Sequence, residues 1–161
     1  MTTSRKVLVF GGLAVAIWGM AYGIWYAVFI EHQTLDGMGS ALATGFMRAA
    51  EHRMAESHAA LMDATSRSFV YVRQVDAHGH WIGLGLLLVI LGIGFDRVSF
   101  GERSRLGLAL TLLGGAILFP LGVLLETWNR GIGPQAIAIA GSGLVIIGLC
   151  GTALGFARKN S

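Results

Sequence analysis

The chain has 161 residues, of which 54% are hydrophobic and 13% charged, where an average soluble domain carries about 25% charged residues. A mean hydropathy of +0.65 excludes a soluble core. With no Pro-rich or charge-rich linker, residues 1–161 read as a single polytopic membrane domain. The net charge of +3 does not point to nucleic acid, because basic residues at the ends of membrane helices report orientation. The lone Cys150 excludes an intrachain disulfide and, lying in an apolar run, is expected to be a buried structural thiol.

Arg5 and Lys6 lead into residues 7–30, an uncharged run longer than the h-region of a cleaved signal peptide, about 7–15 residues. It reads as a first transmembrane helix with Trp25 and Tyr26 at the interface. Gly12, Ala16, Gly19, Gly23 and Ala27 recur at helical spacing and strip one face of bulk for close helix contact. Extending that face by four residues reaches Glu31.

Residues 31–77 form the long polar segment, with acidic and basic side chains nearly in balance. Between 39 and 62 there is no proline and little glycine. Leu42, Phe46, Ala50, Met54, Leu61 and Met62 follow a helical stripe, which predicts an amphipathic helix on or above the bundle. Residues 64–75 are expected to extend the second spanning helix, since no turn residue intervenes before Gly79.

The second span, 79–95, is preceded by Asp76 and His78, begins with His80 and Trp81 and continues as a glycine-spaced aliphatic run. A loop with Arg97, Arg103 and Arg105 leads to a third span, 106–125, in which Pro120 is expected to kink the helix and free a carbonyl. Gly131, Gly133 and Pro134 mark the turn into a fourth span, 136–157, where Gly141, Gly148 and Gly155 form another packing seam. Arg158 and Lys159 follow. The fold class is therefore all-α, a four-helix transmembrane bundle, N-in/C-in, because Arg5 and Lys6, the Arg97, Arg103 and Arg105 loop, and Arg158 and Lys159 all fall on one side. That places residues 31–77 on the extracytoplasmic side of an inner (plasma) membrane, facing the periplasm in a bacterium.

All five histidines, His32, His52, His58, His78 and His80, lie between the first and second spans, as do Met38, Met47, Met54 and Met62. Imidazole is the commonest metal ligand, and thioether sulfur adds affinity for Cu(I) or for a haem axial position. His78 heads the row Ile82, Gly85, Val89 and Gly92 and is expected to point into the bundle, with His80 pointing elsewhere. Glu31, His78 and Glu126 are expected to gather in one rim pocket, with Glu51, Met54 and His58 added from the overlying helix. The alternative pairs Glu126 with Arg130, four residues on. No Cys-x-x-Cys, His-Glu-x-x-His or Glu-x-x-His pattern is present.

A histidine opening an aliphatic, glycine-spaced span resembles, over that one helix, the haem-ligating helices of membrane b-type cytochromes. The resemblance implies a haem held between histidines of two helices, with His32, or else His58 or Met54, as the second ligand to His78.

The expectation is a small membrane subunit binding haem b or copper, active in electron transfer or metal handling, and not a stand-alone enzyme. Cofactor-binding candidates are His78, His32, His58, His80 and Met54, with Glu31 and Glu126 as further metal or proton-handling groups. The rival is a cofactor-free accessory subunit packed against lipid, other membrane subunits or a second copy. A proton-coupled transporter or enzyme built round Glu31 and Glu126 is a third possibility, with Pro120 offering one kink for a midplane site.

Overall fold

The structure, a computed structural model, describes residues 1–158; Lys159 lies outside the described residues. It contains α1 (Thr3–Phe29), α2 (Glu31–Ala50), α3 (Met54–Gly94), α4 (Glu102–Leu125) and α5 (Ile132–Ala157), with a 3₁₀ turn at Phe95–Arg97. Among the described residues, α1, α3, α4 and α5 are the helices long and apolar enough to cross a membrane.

The longest element is α3, at 41 residues. A straight helix of that length spans about 60 Å, twice the hydrocarbon thickness of about 30 Å. The stretch 64–75 is helical, as expected, because neither glycine nor proline interrupts it. The same rod is therefore apolar from Ala77 onward and charged before it.

α1 packs on the apolar half of α3, α4 packs on α5, and α4 also touches α1 and α3, joining the two pairs. Lipid tails supply no hydrophobic push between helices, so close backbone approach carries the association. The expected seams supply it. A Cβ on Gly85 would lie 2.6 Å from both Ala16 N and Gly12 O, and one on Gly115 would lie 2.8 Å from Gly141 O. Gly148 seats Leu112, and Gly155 seats Val98 and Phe100. The four α1 residues from Gly12 to Gly23 line this seam as expected, whereas Ala27 is exposed.

The stripe between 39 and 62 is not one helix. It breaks at Glu51–Arg53, where His52 adopts a left-handed φ of 58°. Arg53 N–H closes the end of α2 on Arg48 O at 2.8 Å, the bond of a glycine-type helix terminus, here built on histidine. α2 then lies along the charged half of α3 as a helical hairpin. Ser57, 6% exposed, donates to Gly45 O at 2.8 Å across the pair. Arg48, Glu51, Arg53 and Glu56 form an ion network at the tip. The Glu51 carboxylate beside Arg48 raises that guanidinium further above its ordinary value.

At the other end of the bundle the start of α1 is tied to the α3–α4 connection. Glu102 accepts from Ser4 N–H at 2.8 Å and from Ser4 Oγ at 3.1 Å, while Thr2 Oγ1 donates to Asp96 at 2.6 Å. Ser99 Oγ donates to Arg158 O at 2.8 Å, bringing the end of α5 to the same place. Two expectations change. Cys150 is exposed, because it shares a face of α5 with the exposed Ile146, Ile147 and Leu154, away from α4. Glu31 opens α2 and does not extend α1, because Ile30 leaves helical geometry between them.

Candidate functional site

The polar end of the bundle is organised by α3, and the two sides of that helix carry different chemistry. Toward α1 and α2 it presents Tyr71, Gln74 and His78. Successive residues rotate by about 100°, so Arg73, five before His78, points about 140° away from it.

On the first side the His78 ring packs on Gly23, where a Cβ would lie 2.9 Å from its Cδ2. His78 Nδ1 lies 3.0 Å from Gln74 O, one helical turn back. With Nδ1–H donating to that carbonyl, Nε2 carries the free lone pair. Tyr22 OH donates to Gln74 Oε1, so α1 is fastened to α3 beside the same histidine. Tyr71 OH donates to Glu31 Oε1 at 3.2 Å. Tyr26, 2% exposed, has its hydroxyl beside Thr34 with Glu31 and Tyr71 nearby.

On the second side Arg73 Nε lies 2.9 Å from Glu126 Oε2, whose side chain is 12% exposed. This is an ion pair whose Nε–H is not aligned on the carboxylate, since that nitrogen makes no hydrogen bond. Arg73 also lies 3.6 Å from Asp76 and 5.1 Å from the centre of the Phe69 ring. Arg130 lies over the same ring at 4.2 Å and donates to Ser66 Oγ at 2.9 Å. Phe69, Arg73, Glu126, Arg130 and Gln135 line a cleft of about 380 Å³ between α3, α4 and α5. Glu126 thus pairs with Arg73 across helices, and not with Arg130 four residues on.

The structure distributes the expected ligands. His78 faces α1, as its glycine-spaced row foretells, and His80 turns to α4, its ring 4.7 Å from that of Phe119. His78 and Glu126 lie against different sides of α3, so the single rim pocket expected for them is replaced by two polar groups. His58 and Met54 belong to the far end of the same rod. The 20 positions from His58 to His78 amount to about 30 Å along α3, beyond the reach of any shared ligand. Nor do Glu51, Met54 and His58 share a helical face, because Glu51 lies in the turn. His32 and His58 are exposed. Among the described residues no group of three or more His, Cys, Asp or Glu side chains is placed to hold one metal ion.

The side chains that do meet at the rim, Tyr22, Tyr71, Arg73 and Gln74, were not marked by the sequence. The available signal was the four-residue step from Gln74 to His78, and the heptad step from Tyr71 to His78, which put all three on one helical face.

A third feature lies deeper. Trp81, 4% exposed, forms the floor of a groove of about 390 Å³ between α1 and α4, walled by Ala14, Trp18, Tyr22, Ile117 and Leu121. The Trp18 and Tyr22 rings meet Trp81 edge-on, at 6.3 and 5.7 Å between centroids.

No family model, curated protein or solved structure matches this chain.

Proposed function

We propose that this chain is a multi-pass subunit of the inner (plasma) membrane whose α2–α3 hairpin projects from the extracytoplasmic face and docks a partner subunit. The supporting observation is the composition of the hairpin surface. Phe46, Met47, Met54 and Met62 are each at least 60% exposed on a segment that also carries ten of the chain's 21 charged side chains. Exposed apolar side chains among charges, outside a span, mark an interaction surface, and methionine adapts to a partner's shape. The Arg97, Arg103 and Arg105 loop and the ends of the chain take the cytoplasmic side under the positive-inside rule. The role is accessory and non-catalytic, within a larger complex or a homo-oligomer.

The test is site-specific photo-crosslinking in native membranes from Phe46 and Met62, with the lipid-facing Ile146 as control. One adduct of defined mass, obtained from both hairpin positions, absent from Ile146 and lost from both when Met47→Glu and Met54→Glu are added, is expected. Lipid adducts alone from all three positions would overturn the assignment.

A second reading, haem or copper held through His78 for electron transfer, is supported by the Nδ1 bond to Gln74 O, which leaves Nε2 as the coordinating atom. His32, in the first turn of α2, would then be the second ligand, with Glu31 beside it. Purified protein would show a Soret band or one equivalent of bound metal that His78→Ala removes. Neither signal in cofactor-replete membranes would end this reading.

A further inference from the structure

We infer that the cleft between α3, α4 and α5 binds the phosphate of an anionic phospholipid, whose acyl chain runs down the exposed face of α5. The inference rests on the membrane-spanning helices and on neither functional reading above.

The group that would hold the phosphate is Arg130. Arg48, Arg53, Arg67 and Arg73 each pair with a carboxylate, whereas Arg130 has no carboxylate partner among the described residues. Its guanidinium is still fixed in place, 4.2 Å from the centre of the Phe69 ring and with Nη2 donating to Ser66 Oγ at 2.9 Å. Among the described residues its Nε and Nη1 donors have no acceptor, and the side-chain amide of Gln135, in the same cleft, has no partner either. A planar guanidinium held by one edge with donors to spare suits a phosphate. Glu126 also lines the cleft, but Arg73, 2.9 Å away, offsets its charge. The charge of Arg130 is thus left over, which favours a headgroup that brings no ammonium of its own.

Depth and shape select a lipid as the source of that phosphate. The 24 residues of α4 span about 36 Å, enough to cross about 30 Å of hydrocarbon. Arg130 stands just past the end of α4, close in sequence to Trp128, which is 73% exposed as an interfacial tryptophan is. At that depth the bilayer itself supplies phosphate. The remaining wall of the cleft is apolar, formed by Phe69, Ala138 and Ile139. Ile139 and Ile146, seven residues apart on one face of α5, are 71% and 60% exposed and continue that wall toward the membrane interior. A cationic end joined to an apolar track fits an amphiphile. A partner's carboxylate or a free phosphate ion would leave the track unused.

The experiment is native mass spectrometry of the full-length protein in detergent, titrated with dioleoylphosphatidylglycerol or with dioleoylphosphatidylcholine. One phosphatidylglycerol is expected to bind about fivefold more tightly than phosphatidylcholine, the effect of one uncompensated cation. Arg130→Gln should weaken phosphatidylglycerol about tenfold, as loss of a charge-assisted contact does, and remove the preference. Arg103→Gln, which deletes the same charge at the opposite end of the bundle, should leave both unchanged. Ile139→Asn, at an exposed position of the track, should weaken phosphatidylglycerol by a smaller factor, and circular dichroism checks the fold of each variant. Equal weakening by Arg103→Gln and Arg130→Gln would overturn the proposal, because the lipid would then be reading net charge alone. Displacement of the lipid by excess inorganic phosphate would overturn it in favour of the free ion. A photo-crosslinker at Ile139 in native membranes should give lipid adducts; a protein adduct in their place would assign the cleft to a protein partner.

Discussion

The two halves of α3 show how one helix answers two solvents. From Ala77 to Gly94 it is held by backbone-close contacts through Gly85 and Gly92. From Met54 to Asp76 it is held by the Ser57 bond to Gly45 O, by leucine on glycine at Gly45, and by ion pairs such as Arg67 with Asp63. In the apolar half, exposed Leu86, Ile90 and Ile93 suit lipid. In the charged half, exposed Met54 and Met62 do not suit water, and this contrast is what points to a partner.

The comparison is broken most severely at the glycine seam. Gly85→Leu drives a side chain into the α1 backbone and should cost about 3 kcal/mol, read as loss of monodisperse folded protein in detergent. Gly39→Leu, with nothing near its Cβ position in the hairpin, should be tolerated in the same assay.

Next comes the Arg73 and Glu126 pair, which stands where the two halves meet. Glu126→Gln leaves the half-buried guanidinium with only the more exposed Asp76, 3.6 Å away, and should cost about 1 kcal/mol in thermal unfolding. Adding Arg73→Gln should recover part of that loss, whereas purely additive losses would show that the pair is not coupled.

A smaller effect of opposite sign is expected at the hairpin turn. His52→Gly relieves a left-handed backbone and should stabilise the hairpin by about 1 kcal/mol, seen as slower amide exchange near the end of α2. The smallest effect is at the proposed docking face. Phe46→Glu should change the isolated protein's stability by no more than about 0.5 kcal/mol while abolishing the crosslink formed from Met62.

The spans and seams were legible because their signals are local: uncharged runs of the right length, and glycines at helical spacing. The row from His78 to Gly92 gave the correct inward face for the same reason. The rim was less legible because its contacts cross between helices. Arg73 and Glu126 are far apart in sequence, and which side of α3 faces α4 is set by tertiary packing. The hairpin turn was hidden because the usual marker of a left-handed helix end is glycine, and this chain places His52 there. Five histidines in one segment looked like a ligand set, but His58, His78 and His80 are spread along a rod of 41 residues, while His32 lies on α2 and His52 in the turn.

The central claim is that the charged half of α3 continues the spanning half as one rod, standing clear of the bilayer. It is tested most directly by pulsed electron paramagnetic resonance between spin labels at His58→Cys and His80→Cys, in a Cys150→Ser background and in nanodiscs. The rod predicts one narrow distance distribution centred near 33 Å, from about 1.5 Å per residue. A broad distribution, or one centred near 20 Å, would mean that the helix breaks and the hairpin folds down onto the lipid, where Phe46 and the methionines would already be covered.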